Sequence, residues 1–373
     1  MQAKKTMKLT RVIISGGGTG GHIFPALAIA DEIKRQYPTA EILFIGAEGK
    51  MEMEKVPQAG YQIVGLPIVG LQRKLSIQNF FLPFKLLKSL GKAFSVLRGF
   101  KPQLVIGVGG YASGPTLKMA QLLGIPTLLQ EQNSFPGKTN QLLAKKAAAI
   151  CVAYPGMERF FPAAKITLTG NPVRANLLSD LSGLKMEAAA HFGLDPNKPT
   201  LFVMGGSLGA KTLNLAFKAA LNTLEAADIQ VLWQCGKSFE QELATFQASL
   251  PSSIQVFPFI QRMDYAYALA TVIISRAGAL SVSELALVGK PAILVPSPNV
   301  AEDHQTKNAR SLADRSAALI VSDASAAQEL LTVALKLMND QQQQHALATA
   351  LQALALPHAT REIVEVCKNC VKS

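Results

Sequence analysis

Two segments of the chain, about 190 residues apart, share one local pattern: an apolar run, a cluster of glycines and an amphipathic stretch. The first is RVIISGGGTGGHIFPALAIADEI, from Arg11, and the second is TLFVMGGSLGAKTLNLAFKAAL, from Thr200. A strand–loop–helix turn of this kind directs backbone N–H groups and a helix start at an anion, usually a phosphate. The pair predicts two nucleotide-fold domains that face a shared cleft, each holding a phosphorylated partner.

Apolar runs alternate with helical stretches along the whole chain of 373 residues, a length that suits two domains. Runs that are apolar on both faces indicate parallel sheets covered by helices on both sides. We therefore predict an α/β fold with two Rossmann-like domains. The predicted strands are 11–15, 41–46, 104–108, 126–130, 149–153 and 165–169 in the first half, and 200–204, 229–234, 254–257, 271–275 and 292–295 in the second.

The segment GNPVR, residues 170–174, follows the last strand of the first set, and its glycine and proline indicate a break. The charge balance also changes there: residues 1–173 carry 21 Lys and Arg against 8 Asp and Glu, while residues 174–373 carry 16 against 17. We predict an N-terminal domain over 1–172 and a C-terminal domain over 173–355. Periodicity alone does not decide which domain the last helix, 356–373, packs on.

The basic first half favours an anionic partner, and nucleic acid, phospholipid and a pyrophosphate substrate all qualify. The N-terminus, MQAKKTMKLT, lacks the apolar core of a signal peptide, and no run of 18 apolar residues occurs. We therefore expect a cytoplasmic compartment. Cys367 and Cys370 form a C-x-x-C pair without a second pair to complete a zinc site, so we predict no metal there.

Residues 73–101, RKLSIQNFFLPFKLLKSLGKAFSVLRGFK, hold seven Lys and Arg and no acid. Apolar residues recur near helical spacing between Lys85, Lys88 and Lys92, and such a face can lie in the interface of an anionic membrane. The alternative is a crossover helix that buries its phenylalanines in the core and exposes its lysines. Both interpretations stay open, and each can hold for part of the stretch.

The first glycine loop contains G-x-G-x-x-G at 16, 18 and 21, so a dinucleotide site has to be considered. That site needs an acid near the end of the next strand to hold a ribose, and Glu48 and Glu41 support it only ambiguously. The glycines are denser than a pyrophosphate turn requires, and His22 follows them directly. These points weigh against nicotinamide or flavin chemistry.

Further polar and glycine-rich segments follow the carboxyl ends of predicted strands, where ligands bind in open parallel sheets. Residues 107–115, GVGGYASGP, could hold a diphosphate with backbone donors or only permit a tight turn. Residues 130–133, QEQN, could bind sugar hydroxyls or accept a proton. Residues 278–284, GALSVSE, place small residues at a helix start for a phosphate and Glu284 for ribose hydroxyls, although a capping serine with a first-turn acid would look the same.

Seven motifs, in this order, resemble those of the bacterial N-acetylglucosaminyltransferases of peptidoglycan synthesis, which add N-acetylglucosamine to lipid I. They are GGGTGGHIFPALAIA, GVGGYASGP, EQN, GNPVR, GGSLGA, GALSVSE and EDHQTKNA, between about residues 11 and 310. A single G-x-G-x-x-G would be weak, whereas seven ordered motifs are specific. The chain departs from the family at Gln130, where His is frequent, and at Leu208, where Gln is frequent.

The resemblance implies the glycosyltransferase B fold, with the lipid acceptor in the N-terminal domain, UDP-N-acetylglucosamine in the C-terminal domain, and helix 356–373 packed back on the N-terminal domain. It implies acceptor contacts at Gly18, Gly109, Gly110 and Tyr111. It implies that Ile260 meets uracil through its backbone and that Glu284 holds the ribose. The implied donor positions are Thr19, Gly20, Gly21, Asn133, Arg174, Ser207, Ile260, Ala279, Leu280, Ser281, Val282, Ser283, Glu284 and Gln305.

The implied reaction inverts the anomeric carbon and makes the β1→4 disaccharide of lipid II at the cytoplasmic face of the inner membrane. His22 is the first candidate for the base because its unperturbed pKa lies near neutral pH, and Glu131 is the second. His22 could instead only hold the glycine loop through a hydrogen bond. No Asp-x-Asp occurs to recruit a metal, and we expect neither a metal, a cofactor nor a nucleic-acid partner.

Four other functions compete with this one. A transferase acting on another lipid, such as diacylglycerol, would share the donor motifs but differ in GVGGYASGP. A UDP-sugar 2-epimerase would have a similar fold without needing the basic apolar stretch. A non-catalytic lipid carrier would keep residues 73–101 but would not need Glu284 and Gln305, and a dehydrogenase would bind nicotinamide.

Overall fold

The structure is a computed structural model of the whole chain, and it describes residues 8–68, 82–173, 177, 180–206 and 208–371. Within these ranges, the strands form two sheets and every strand pair is parallel. The predicted α/β architecture with two parallel sheets is confirmed.

The strands of the first sheet are β1 Arg11–Ser15, β2 Glu41–Ala47, β3 Gln62–Leu66, β4 Leu104–Gly107, β5 Thr127–Glu131, β6 Ala149–Val152 and β7 Ile166–Leu168. Those of the second are β8 Thr200–Met204, β9 Gln230–Gln234, β10 Ile254–Phe257, β11 Val272–Ser275, β12 Ala292–Leu294 and β13 Leu319–Ile320.

The helices along the described residues are α1 Gly20–Gln36, α2 Glu52–Gln58, α3 Leu82–Phe100, α4 Ser113–Leu122, α5 Lys138–Ala144, α6 Lys185–Phe192, α7 Lys211–Ala219, α8 Leu221–Ala226, α9 Glu240–Ala244, α10 Met263–Leu269, α11 Ala279–Val288, α12 His304–Ala313, α13 Ala326–Asn339, α14 Gln341–Gln352 and α15 Ala359–Cys370. None of them is long and apolar enough to cross a membrane within the part of the chain that the structure describes.

The chain divides into two compact units. The first comprises Met1–Val173 together with His358–Ser373, and the second comprises Arg174–Pro357. The predicted boundary after residue 172 lies one residue from this division, and the last helix belongs to the first unit.

The first sheet has the strand order β3-β2-β1-β4-β5-β6-β7, so the order reverses direction between β1 and β4. Their register pairs Ser15 with Gly107, which brings the two strand ends to the same level. Ligands in open parallel sheets bind beyond the carboxyl ends of the strands at such a reversal. The loops after β1 and β4 therefore occupy the position in this unit where a ligand is expected.

The second sheet repeats the plan, with the order β10-β9-β8-β11-β12-β13 and the reversal between β8 and β11. Here Met204 pairs with Ser275 at the strand ends. The loops that follow these two strands contain GGSLGA and the start of GALSVSE, so each unit places its glycine-rich motifs at its own strand-order reversal.

The core of the first unit covers both faces of its sheet, and β1 is buried at successive positions from Val12 to Ser15. Val12 and Ile14 pack with α1 and α15, while Ile13 packs with residues of α3, α4 and α5. This alternation on two covered faces explains why the strands are apolar at nearly every position.

The C-terminal helix α15 packs against α1, β5 and β6. Its two cysteines lie in the same buried cluster as Cys151 of β6. Burial raises the pKa of the thiols of Cys151 and Cys367, and raises that of Cys370 to about 11. All three therefore stay protonated at neutral pH and pack as small apolar side chains.

Two strands were not predicted from the sequence. β3 is only partly buried and contains Gly65, so it lacks a continuous apolar run. β13 has two residues, too few to show a period. Both occupy sheet edges, where one neighbour suffices.

Asn214 forms two buried hydrogen bonds in the core of the second unit, and their contribution to stability can be measured. The indole N–H of Trp233 donates to Asn214 Oδ1 at 3.1 Å, and Asn214 Nδ2 donates to the carbonyl of Cys235 at 2.8 Å. Asn214→Ala leaves both buried groups without this partner, so we expect the free energy of unfolding to fall by about 3 kcal/mol. Urea unfolding followed by the fluorescence of Trp233, the only tryptophan of the chain, measures the change.

Asn222→Ala is the matched control because Asn222 lies exposed on α8 of the same unit. Its unfolding free energy should change by about 0.5 kcal/mol or less. Equal midpoints for the two variants would contradict the structural role of Asn214.

Candidate functional site

In the first unit, the loops after β1 and β4 touch through their backbones. The N–H of Gly17 donates to the carbonyl of Gly109 at 3.3 Å. A Cβ on Gly110 would lie 2.3 Å from the carbonyl oxygen of Gly17, and the φ of Gly110 is +86°. A side chain at Gly110 is therefore excluded by both contact and conformation, which explains one glycine of GVGGYASGP by the close approach of the first loop.

His22 lies in the first turn of α1, and both loops fix its ring. Its Nδ1 is 3.1 Å from the carbonyl oxygen of Gly17 and 3.2 Å from Thr19 Oγ1. The ring packs on Gly109, where a Cβ would lie 2.9 Å from its Cδ2 and Nε2. In a neutral imidazole, donation from Nδ1–H to a carbonyl makes Nε2 the acceptor nitrogen. The sequence leaves two alternatives for His22, a hydrogen bond that holds the glycine loop and the role of a catalytic base. This geometry allows His22 to have both roles, one on each ring nitrogen.

Gly18, a predicted acceptor contact, forms a backbone hydrogen bond within the unit. Its N–H donates to Glu52 Oε2 at 2.8 Å, and the N–H of Ala47 donates to Glu52 Oε1 at 3.0 Å. An internal carboxylate thus already accepts this N–H, so an acceptor contact of Gly18, which stays a prediction, would have to use another atom. Glu52 could not be recognised from the sequence, since MEMEK at the start of α2 is typical of a solvated helix face.

The two acids that left a dinucleotide site open, Glu48 and Glu41, lie at opposite ends of β2. Glu48 pairs with Lys92 of α3 at 3.0 Å, and Glu41 lies exposed at the start of β2, the opposite end of the strand from the loops. The structure thus excludes Glu41 from the loop edge and shows Glu48 engaged by a lysine.

Glu131, the second candidate for the base, holds its own loop together. Its Oε1 accepts from the N–H of Asn133 at 3.1 Å and from Asn133 Nδ2 at 3.3 Å. Its Oε2 accepts from the N–H of Gly137 at 3.2 Å and from Asn140 Nδ2 at 2.8 Å. Burial raises the pKa of Glu131 above its ordinary value, and the four hydrogen bonds lower the pKa in part. With both oxygens engaged, Glu131 is suited to a structural role rather than to proton transfer.

A buried amide network connects this loop to two others. Gln132 Nε2 donates to the carbonyl of Val108 at 2.8 Å and to Gln130 Oε1. Gln130 Nε2 donates to Asn171 Oδ1, and Asn171 Nδ2 donates to the carbonyl of Gln132, both at 3.0 Å. The residues of EQN, GNPVR and GVGGYASGP thus form one connected set, with Gln130 acting as a network amide.

The remaining predicted positions of this unit lie at the same sheet edge. Thr19 precedes α1, Gly20 and Gly21 begin it, and its first turn carries no acidic side chain. Tyr111 is 51% exposed in the loop after β4. Arg174, the first residue of the second unit, lies outside the described residues.

The second unit repeats the close approach of two backbones. A Cβ on Gly209 would lie 2.1 Å from the carbonyl oxygen of Cys235, and a Cβ on Gly236 would lie 2.1 Å from the nitrogen of Gly209. Ser238 Oγ also donates to the carbonyl of Leu208 at 2.6 Å. The loop after β8 is thereby held by the loop after β9. Ser207 of the same loop lies outside the described residues.

Residues 279–284 form the first turns of α11, which begins after Gly278 and has no acidic side chain in its first turn. Glu284 is buried, and its Oε2 accepts from the hydroxyl of Tyr267 at 2.9 Å. Tyr267 is a site residue that the sequence did not indicate, because an apolar helix is the simpler interpretation of residues 263–269. It fixes the orientation of the carboxylate predicted to hold a ribose.

Two further donor positions are partly engaged inside the unit. The N–H of Ile260 donates to Gln234 Oε1 at 2.9 Å. A backbone contact of Ile260 with uracil would therefore have to use the carbonyl of Ile260. Gln305 Oε1 accepts from the N–H of Ser297 at 2.9 Å, so a sugar contact would have to use its NH2 group. Glu302 and Asp303, just before Gln305, have φ values of +56° and +50°, a strained backbone of the kind found at functional sites.

Both units match domains of one protein family. The profile of the glycosyltransferase family 28 N-terminal domain matches residues 12–152, and that of the C-terminal domain of this family matches residues 200–363. The chain is 34% identical to Acinetobacter baumannii MurG, whose crystal structure superposes with a TM-score of 0.77 over 96% of this chain and 99% of that one.

Two relatives are similar along nearly their whole length. The protein of Cytophaga hutchinsonii is 55% identical over 95% of each chain. That of Flavobacterium psychrophilum is 51% identical over 98% of this chain and 99% of its own. Both bear the name UDP-N-acetylglucosamine–N-acetylmuramyl-(pentapeptide) pyrophosphoryl-undecaprenol N-acetylglucosamine transferase.

The structural role of Glu131 predicts a local change in Glu131→Gln. The amide replaces one acceptor oxygen by an NH2 group, which would face an N–H donor of Asn133, Gly137 or Asn140. We expect amide hydrogens of residues 131–140 to exchange about tenfold faster, measured by mass spectrometry of peptides from this loop. Glu158→Gln, an exposed acid of the same unit, should leave the exchange unchanged. Unchanged exchange in Glu131→Gln would refute the anchoring role.

Proposed function

The chain belongs to glycosyltransferase family 28, and on that premise we propose that it transfers N-acetylglucosamine from UDP-N-acetylglucosamine to lipid I. The observation that carries the proposal is the 51–55% identity, over at least 95% of both chains, with enzymes named for this donor and acceptor. An identity this high over the whole length favours this reaction over the epimerase, carrier and dehydrogenase alternatives. The product is the β1→4 disaccharide of lipid II, a precursor of the cell wall.

The second unit binds the sugar nucleotide. The amides that begin α11 are suited to the diphosphate because a helix N-terminus carries partial positive charge and no first-turn acid opposes it. Glu284, oriented by Tyr267, accepts hydrogen bonds from the ribose hydroxyls. The same amides stabilise the negative charge that develops on the departing UDP.

The first unit binds the lipid-linked acceptor, and His22 acts on its 4-hydroxyl. The hydroxyl oxygen forms a bond to the anomeric carbon, the bond from that carbon to UDP breaks, and the hydroxyl proton moves to His22 Nε2. This single displacement converts the α-linkage of the donor into a β-linkage. The bond from His22 Nδ1 to the carbonyl of Gly17 supports this role because it sets the tautomer that accepts at Nε2.

A membrane surface is proposed as the second partner of the first unit. In α3, Phe84 and Leu87 are 68% and 66% exposed, and Lys85 and Lys88 lie beside them. Further along the helix, Ala93 and other apolar residues are buried in the core. The part of the basic stretch within 82–100 thus supports both sequence interpretations, one for each end of the helix. Residues 73–81 lie outside the described residues.

Because α3 ends at Phe100, just before β4 begins at Leu104, its opposite, exposed end lies toward the carboxyl edge of the sheet, where the glycine loops are. An apolar face flanked by lysines is suited to the interface of an anionic bilayer. We therefore place the enzyme peripherally at the cytoplasmic face of the inner membrane, where undecaprenyl-linked lipid I is its acceptor.

Incubation with labelled UDP-N-acetylglucosamine and a short-chain lipid I analogue tests the reaction. The wild type should form the labelled disaccharide lipid. His22→Ala should lower kcat by about 10²- to 10⁴-fold, with KM for both substrates nearly retained, because only proton transfer is lost. Near-normal turnover of His22→Ala would exclude His22 as the base. Absence of transfer by the wild type would contradict the proposed function.

Vesicle co-sedimentation tests the membrane surface. Replacing Lys85 and Lys88 by Gln should weaken binding to vesicles rich in anionic phospholipid by about fivefold for each charge removed. The matched control replaces Lys145 and Lys146, an exposed pair at the opposite edge of the first sheet, and should bind as the wild type does. Equal binding by both variants would exclude α3 as the membrane contact.

A further inference from the structure

Glu52 is a buried charged residue to which the reaction above assigns no role. Its side chain is 1% exposed at the start of α2. Its two oxygens accept the N–H groups of Gly18 and Ala47 at 2.8 and 3.0 Å. Burying a carboxylate is costly unless hydrogen bonds compensate it, so this placement calls for a reason beyond packing.

Two glycines make the space that Glu52 occupies. A Cβ on Gly17 would lie 2.2–2.6 Å from the carboxylate atoms, and a Cβ on Gly46 would lie 2.5 Å from Glu52 Cγ. Gly17 belongs to the first glycine loop and Gly46 to β2, so the loop and the neighbouring strand are both shaped around this side chain.

The contact reaches His22 through one peptide group. The N–H of Gly18 and the carbonyl of Gly17 belong to the same peptide, which is planar and trans. Glu52 accepts from the N–H on one side of this peptide, and His22 Nδ1 bonds to the carbonyl on the other. Fixing the direction of the N–H therefore fixes the direction of the carbonyl.

We propose that Glu52 is the positioning residue for His22, acting through the Gly17–Gly18 peptide. The inference rests on the proposed function, in which His22 is the base. A negatively charged acceptor on the N–H polarises the peptide and makes its carbonyl a stronger acceptor. The stronger acceptor holds the proton of the imidazole on Nδ1 and leaves Nε2 to receive the proton of the sugar hydroxyl.

The arrangement also changes what the first loop can bind. Successive backbone N–H groups with positive φ form a concavity that binds anions, and Gly17 and Gly18 have φ values of +143° and +88°. Here the anion at Gly18 is part of the protein. The loop therefore serves as a fixed support for the base, and the N–H of Gly18 is not offered to a phosphate of the substrate.

A double-mutant cycle on kcat of the full-length enzyme tests the proposal. Glu52→Gln keeps the size of the side chain but puts an NH2 group opposite one of two N–H donors. Gly46→Ala keeps the charge but displaces Glu52. Each should lower kcat by about 10²-fold, the effect expected when a catalytic group is misplaced by about 1 Å, with KM for UDP-N-acetylglucosamine unchanged.

Neither change should lower kcat further when His22 is already Ala, because its effect passes through His22. Glu54→Gln, the control on the exposed side of the same helix, should turn over as the wild type does. Losses by Glu52→Gln and Gly46→Ala that persist in full in the His22→Ala background would overturn the proposal, as would unchanged turnover by both.

The transfer assay separates this inference from the function. If the wild type forms the disaccharide and His22→Ala is slow while Glu52→Gln is not, the function stands and the positioning role fails. If His22→Ala itself turns over normally, His22 is not the base and the positioning role fails with it. Only absence of transfer by the wild type removes the proposed function.

Discussion

The contact on which both units depend is the approach of one loop backbone to another at the carboxyl ends of their strands. In the first unit a Cβ on Gly110 would lie 2.3 Å from the carbonyl oxygen of Gly17, and in the second a Cβ on Gly209 would lie 2.1 Å from that of Cys235. Side chains cannot enter such contacts, so the loops meet directly and neither can shift without the other. The register of the parallel strands sets where these loops begin. It therefore also sets the position of residues that follow them, such as His22.

This close packing leaves many polar groups of the site engaged within their own unit. Gly18 donates to Glu52, Ile260 donates to Gln234, and Glu131 accepts four hydrogen bonds from its own loop. Buried polar groups need such partners to offset the loss of water. The groups are therefore held in place before a substrate arrives, which is the condition under which oriented dipoles and bases are effective in catalysis.

The sequence was sufficient for the architecture and for the edge of each sheet at which the glycine-rich motifs lie, but not for the hydrogen bonds among them. Runs that are apolar on both faces predicted eleven strands, and the two that escaped prediction, β3 and β13, are edge strands that are short or only partly buried. Glycine clusters after strands gave the correct edge of each sheet. The partners of Gly18, Glu284 and Gln130 could not be predicted, because Glu52, Tyr267 and Asn171 are 17 to 41 residues away from them along the chain.

The two units share one construction, but they differ in net charge and in the groups that their glycine loops engage. The first half of the chain is strongly basic, yet its glycine loop contains the buried carboxylate of Glu52 beside the peptide that holds His22. The second half is nearly neutral, and α11, like α1, begins without an acid in its first turn. In the function proposed above, the net charge of the first unit attracts an anionic surface. The same proposal gives the base to the first unit, where Glu52 and His22 share one peptide group, and the nucleotide to the second, where Tyr267 orients Glu284.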